Sequence, residues 1–261
     1  MSKVWINGKQ IEAESTRKLI DVLRNDCHLK SVKDGCSEGA CGSCTVIIDG
    51  RTVKACVQTM GRMEGKHVLT VEGLTDYEKK VFVYSFGAAG AVQCGFCIPG
   101  MVMCAKALLD SDPQPDRIQI AKAIRNNICR CTGYKKIIDA ISMAASIFRC
   151  ELVLPTESGD VHVGVNCHRI DVRDKVLGQG EFVDDMEIPG MIYASAVRSP
   201  YSRAKILAIH TEKARALPGV VTVLTAEDIP GSHVVGHLVH DWNVLIGPGE
   251  VTHFLGDAIC L

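Results

Sequence analysis

Cys36, Cys41, Cys44 and Cys56 stand in the spacing C-x4-C-x2-C-x11-C, which restricts this 261-residue chain more than any other feature. Three thiols must come from one tight loop. Gly35, Gly39 and Gly42 interleave with them, letting the backbone turn without Cβ clashes and point N–H groups at sulfur. The fourth thiol lies beyond a hairpin signal, Asp49-Gly50, between the β-rich runs Thr45–Ile48 and Thr52–Val57. A sheet thus fixes its position. C-x4-C-x2-C followed by a distant Cys is the plant-type 2Fe–2S spacing. A zinc ribbon prefers paired C-x2-C knuckles; four buried thiols is the bland alternative.

A second quartet, Cys94, Cys97, Cys129 and Cys131, has the spacing C-x2-C-x31-C-x-C. Cys97 is placed just before a helix N-terminus, where the helix dipole favours a thiolate. Spacing alone leaves zinc, or a redox pair of Cys94 with Cys97, open beside iron–sulfur. Cys27, Cys104, Cys150, Cys167 and Cys260 read as small hydrophobes without a role. The N-terminus has no signal-peptide core, so the expected compartment is the cytoplasm, where 13 cysteines mean metal ligands or buried thiols before disulfides. No apolar run approaches the roughly 18 residues that span a bilayer. A net charge of −1 makes no case for nucleic acid. Residues 1–76 carry +1, residues 77–150 +5 and residues 151–261 −7. The basic middle fits an anionic cofactor only weakly, and a scatter of solvated charges explains it as well.

Asn7-Gly8 marks a first hairpin, and Leu19, Ile20, Val22 and Leu23 follow helical spacing. With the runs at 45–48, 52–57 and 68–71, they predict a small mixed sheet on one helix over residues 1–76. Four amphipathic helices are expected over 77–150: Tyr77–Ala91, Pro99 to Leu109, Asp116–Asn127, and a last one capped by Thr132 with Ile137, Ile138, Ile141, Ala144, Ala145 and Phe148 on one face. Residues 151–172 read as a linker. Beyond them, strands are expected at Ile192–Val197, Ala204–Ile209 and Val220–Leu224, with a short helix at Thr211–Leu217. His233, His237 and His240 fall in a loop and read as loop residues rather than ligands. An apolar end, Ala258-Ile259-Cys260-Leu261, implies a fragment or an end covered by a partner.

Gly35-Cys36-Ser37-Glu38-Gly39-Ala40-Cys41-Gly42-Ser43-Cys44, Gln93-Cys94-Gly95-Phe96-Cys97-Ile98-Pro99-Gly100 and Cys129-Arg130-Cys131-Thr132-Gly133-Tyr134 together resemble the molybdenum hydroxylases, the xanthine dehydrogenases and aldehyde oxidoreductases. Gly180-Glu181-Phe182-Val183-Asp184-Asp185, Ala196-Val197-Arg198-Ser199-Pro200, Leu217-Pro218-Gly219-Val220 and Gly256-Asp257-Ala258-Ile259 extend the likeness to the end of the chain. The resemblance implies an α+β chain with a β-grasp 2Fe–2S domain (1–76), a four-helix 2Fe–2S domain (77–150), the linker, and the truncated start of an α/β hammerhead domain (173–261). It assigns one cluster to Cys36, Cys41, Cys44 and Cys56 and the other to Cys94, Cys97, Cys129 and Cys131. It also places Gln93 and Cys131 toward a molybdopterin, with Gln93 hydrogen-bonding the pterin. The rival role for Gln93 is to satisfy loop backbone.

No flavin domain separates the iron–sulfur module from the hammerhead, so any FAD belongs to another polypeptide. This order resembles bacterial aldehyde oxidoreductases and some selenium-dependent xanthine dehydrogenases. The implied function is electron transfer from a molybdopterin centre through two 2Fe–2S clusters to FAD or an external acceptor. The expected substrate is a purine rather than an aldehyde. The catalytic residues are expected beyond Leu261, and the rest of the molybdenum-binding part, with a possible FAD subunit, is the expected partner. A stand-alone 2Fe–2S carrier and a zinc-stabilised interaction module are the rival readings.

Overall fold

In the computed structural model, which describes residues 1–155, 163–164 and 167–261, the chain divides into two compact units, Met1–Met186 and Glu187–Leu261. Part of the stretch read as a linker, residues 156–162, 165 and 166, lies outside the described residues.

The first unit opens with a five-stranded sheet. Strands β1 (Ser2–Ile6), β2 (Lys9–Ala13), β3 (Thr45–Ile48), β4 (Arg51–Lys54) and β5 (His67–Leu69) lie in the order β2-β1-β5-β3-β4. β1 and β5 run parallel, while the other pairs are antiparallel. Both predicted hairpins form, and their turns take the left-handed backbone that two-residue hairpins need, at Asn7-Gly8 and Asp49-Gly50. Asn7 also ties its turn to β5: its Oδ1 accepts from the Thr70 N–H and its Nδ2 donates to Thr70 Oγ1, both at 2.9 Å. α1 (Leu19–Asp21) continues as a π-helical stretch over Val22–Asp26, and its buried Leu19, Ile20, Val22 and Leu23 pack with Val4, Ile6, Val46 and Val68. The predicted strand at 52–57 ends at Lys54, because Ala55–Val57 coils into a 3-10 turn that carries Cys56.

Helices α2 (Asp76–Ala88), α3 (Ile98–Ser111), α4 (Arg117–Ile124) and α5 (Lys135–Phe148) follow. Thr75 and Asp116 build reciprocal caps with Glu78 and Gln119, which sets the starts of α2 and α4. Thr132 does not cap α5; Tyr134, in a left-handed conformation, precedes that helix, and the Thr132 hydroxyl turns to Cys129 instead. The buried faces of α2, α3 and α5 share one core with Ile47 of β3. α6 (Val172–Leu177) belongs to the same unit, through Val172, Val176 and Leu177.

The second unit has little regular structure. β6 (Val197–Arg198) pairs with β9 (Ala258–Cys260), β7 (Val234–Val235) pairs with β8 (Trp242–Asn243), and α7 covers Glu212–Arg215. The strands expected at 192–197, 204–209 and 220–224 shrink to β6, one bridge between Lys205 and Val251, and a mutual backbone pair between Leu224 and Leu261. Those runs are β-prone in composition, but Ile192, Leu207 and Val221 are exposed and have no sheet face to fill. Among the described residues no helix is long and apolar enough to cross a membrane.

Candidate iron–sulfur sites

The loop from Gly35 to Cys44 folds over the β3–β4 hairpin. Lys54 Nζ donates to the Gly39 carbonyl at 2.6 Å and braces the loop from β4. Gly42 has φ +74°, and a β-carbon there would stand 2.3 Å from the Asn126 carbonyl oxygen. Any other residue would therefore push apart two backbones, one carrying Cys36, Cys41 and Cys44 and the other Cys129 and Cys131.

Within this loop the thiols approach as pairs. The Cys41 N–H donates to Cys36 Sγ at 3.4 Å, and N–H groups at Cys41 and Glu38 bring the Cys36 thiol down to about 7. Cys44 and Cys56 are buried side by side. Burial, with the neighbouring Cys56 thiol, pushes Cys44 up to about 12. As a free thiol Cys44 stays protonated at neutral pH, so a cationic centre is needed to draw off its proton.

The second quartet is assembled by helix ends. Cys97 is the last residue before α3, with Pro99 in the first turn, as its sequence context implied. Cys129 and Cys131 lie in the turn before α5. The Cys129 N–H donates to Tyr134 Oη at 2.9 Å, and its Sγ lies 3.2 Å from Thr132 Oγ1. These thiols also pair: Cys97 interacts with Cys129, and Cys94 with Cys131. Burial raises Cys97 far above the usual thiol range; burial also acts to raise Cys129, but bonds from Thr132 outweigh it. Cys94 and Cys131 are exposed.

Among the described residues no trio of His, Cys, Asp or Glu converges as it would around a single metal ion. Two facing pairs are the arrangement a two-iron centre uses, with two protein ligands to each iron. The donor set, four thiols per site and no carboxylate or imidazole, fits 2Fe–2S chemistry.

The quartets are stitched together. The Ile128 N–H donates to the Cys41 carbonyl at 2.8 Å. Asn127, 2% exposed, donates from Nδ2 to the Gly42 carbonyl at 2.9 Å and accepts from Cys104 Sγ at 3.1 Å. Cys104, read as a bystander, is thus part of the brace, and Asn127 was missed altogether. Both lie outside the cysteine motifs, and only Asn127, two residues before Cys129, carries a signal by its position. Gln93 is exposed, not buried, and its carbonyl accepts from Arg169 at 2.9 Å.

This geometry gathers two sets of four thiols, one on a sheet domain and one among helix ends. Residues 2–82 match the family described as 2Fe-2S iron-sulfur cluster binding domain, and residues 70–142 the 2Fe-2S binding domain. Residues 177–261 match the a/b hammerhead domain of aldehyde oxidase and xanthine dehydrogenase. The chain belongs to that family, the molybdenum hydroxylases. It is 44% identical to the nicotinate dehydrogenase small FeS subunit of Eubacterium barkeri, over 58% of this chain and 99% of that one. It is 34% identical to the aldehyde oxidoreductase of Megalodesulfovibrio gigas, over 99% of this chain but 31% of that protein's length. The crystal structure of the aldehyde oxidoreductase from Desulfovibrio desulfuricans superimposes with a TM-score of 0.83 at 33% identity, covering 99% of this chain and 31% of that one.

Proposed function

We propose that this chain is the electron-transfer portion of a molybdenum hydroxylase, with an iron–sulfur site in residues 1–76, a second in residues 77–150, and the start of a hammerhead domain in 173–261. Cys36, Cys41, Cys44 and Cys56 would hold one 2Fe–2S cluster, and Cys94, Cys97, Cys129 and Cys131 the other. When bound, such clusters supply one-electron redox chemistry at potentials that the surrounding hydrogen bonds tune. The residues around them do the positioning. Lys54 and the backbone N–H groups hold the first loop open toward sulfur, Thr132 and Tyr134 orient Cys129, and Ile128 and Asn127 lock one quartet to the other. That lock is the observation that carries the reading, since a solitary zinc module has no use for two thiol sets joined by hydrogen bonds from Ile128 and Asn127.

Gln93 and Cys131 are exposed, as groups meeting a pterin held by another domain or subunit must be. The collinear match to aldehyde oxidoreductases, with no flavin domain interposed, supports an aldehyde substrate over the purine first expected. FAD, or another acceptor, then belongs to a separate polypeptide. Anaerobically isolated chain should contain about four irons and give two distinct 2Fe–2S EPR signals on reduction. A colourless zinc protein would overturn the reading. In the complete enzyme, reduction of both signals by aldehydes but not by purines separates the two substrate classes.

A further inference from the structure

Residues 167–186 form a strap across the cysteine loops of the first unit. His168 lies against Tyr84, with ring centroids 5.5 Å apart. Arg169, paired with Asp171, donates to the carbonyls of Val92 and Gln93 at 3.3 and 2.9 Å. The Lys175 side chain covers Gly95, where a β-carbon would lie 2.5 Å from Lys175 Cδ. Phe182 meets Phe96 edge-on, at 5.2 Å and 83°. The ammonium groups of Lys33 and Lys175 stand 4.8 and 4.5 Å from the Phe182 ring centre. Asp185 ends the strap, accepting from Arg24 Nη2 at 2.6 Å and from Lys33 Nζ at 3.0 Å.

Phe96 makes this arrangement more than a surface wrap. It lies between Cys94 and Cys97, yet its ring reaches the first quartet. The point where a Gly35 β-carbon would stand is 3.1 Å from both Phe96 Cε1 and Cys41 Sγ. Phe96 is therefore a side chain of one cysteine motif inserted at the loop of the other, and Phe182 backs it from the outer side. The latch is costly to build: the Lys33 and Asp185 side chains are 2% and 4% exposed. Buried ion pairs tend to fix geometry rather than add stability. The residues matched as hammerhead begin at 177, so this piece of hammerhead sequence is built into the iron–sulfur unit.

We infer that the strap sets the spacing between the two thiol quartets, with Phe182 a positioning residue that holds Phe96 in place and Asp185 its latch. This rests on the two-cluster reading above. The test uses the full iron-loaded chain and low-temperature EPR of the fully reduced state, in which two nearby paramagnetic centres split each other's signals. Phe182→Ala and Asp185→Asn should keep about four irons per chain. Amide exchange over 167–186 should rise roughly tenfold or more, and the mutual splitting should shrink or vanish. Phe182→Tyr should keep the splitting, and Phe182→Ala should add nothing further in a Phe96→Leu background. A strap loosened by amide exchange with the splitting unchanged overturns the inference. So does iron loss in both Phe182→Ala and Asp185→Asn, which marks the strap as a stability element only. Two signals absent from the unaltered chain would instead defeat the two-cluster reading.

Discussion

The Ile128 N–H donates a 2.8 Å hydrogen bond to the Cys41 carbonyl, so a residue bonded to Cys129 of one quartet touches a thiol-bearing residue of the other. The two sites are built as one object, and changes at the seam should be felt on both sides.

Asn127 is the side chain at that seam. Asn127→Leu removes the donor to Gly42 and the acceptor from Cys104, leaving buried polar groups unpaired. A loss of about 1–3 kcal/mol is expected in denaturant unfolding of the iron-loaded chain. An unchanged midpoint would mean that the network carries no weight.

Gly42→Ala should be far more damaging. It puts a β-carbon 2.3 Å from the Asn126 carbonyl, and it does so at a left-handed φ of +74°. Neither backbone can retreat without moving cysteines, so iron content should fall well below about four per chain. Full iron occupancy in this variant would show that the seam is looser than the geometry states.

Cys44→Ser separates the sites. Cys44 pairs with Cys56 and lies outside the second quartet. One EPR signal should disappear while the other persists, with about two irons retained. Disappearance of both signals, or of neither, would contradict the assignment of two independent ligand sets.

Asp185 gives the strap a pH dependence. Burial acts to raise its carboxyl, but hydrogen bonds from Arg24 and Lys33 outweigh this and hold it below its ordinary 3.8. Lys33 is also lowered, since burial there exceeds the help from Asp185, so the pair is not self-sufficient and Arg24 completes it. A depressed carboxyl stabilises the fold fully above about 3.8, and that share is lost as pH falls through the lower folded value. At neutral pH, Asp185→Asn should cost about 3–5 kcal/mol because the buried Lys33 and the half-buried Arg24 lose their partner. Urea unfolding at stepped pH should show the gap to the unaltered chain closing below 3.8. A gap independent of pH would deny the carboxylate its role.

The parts of the fold legible in the sequence are those with local cause. Asn7-Gly8 and Asp49-Gly50 each specify a hairpin turn, and both form. The helices expected from Tyr77 and from Asp116 both form, and reciprocal caps within four residues of chain, at Thr75 and Asp116, set their starts. The eight cysteines fall into two spaced sets in the sequence, and the structure brings each set together as pairs of thiols. Thr132 misled because a hydroxyl before a helix serves equally well as a cap or as a hydrogen-bond partner of nearby sulfur, and here Cys129 takes it. The strap was illegible. His168, Arg169 and Phe182 act on Tyr84, Gln93 and Phe96, far away along the chain, and no periodicity announces such pairs. The short strands of the second unit failed for the opposite reason, since apolar runs such as the one containing Ile192 and Val197 promise a sheet face that is largely absent among the described residues.

Ile47 lies on β3 of the sheet, yet its side chain is dissolved in the oil of the helices, among Phe82, Met101 and Ile141. The sheet keeps its own core around Leu19 and Val46, but the helices' core is completed by a residue of the sheet. Heat should therefore melt sheet and helices in a single step, unfolding in one lobe carrying the other with it.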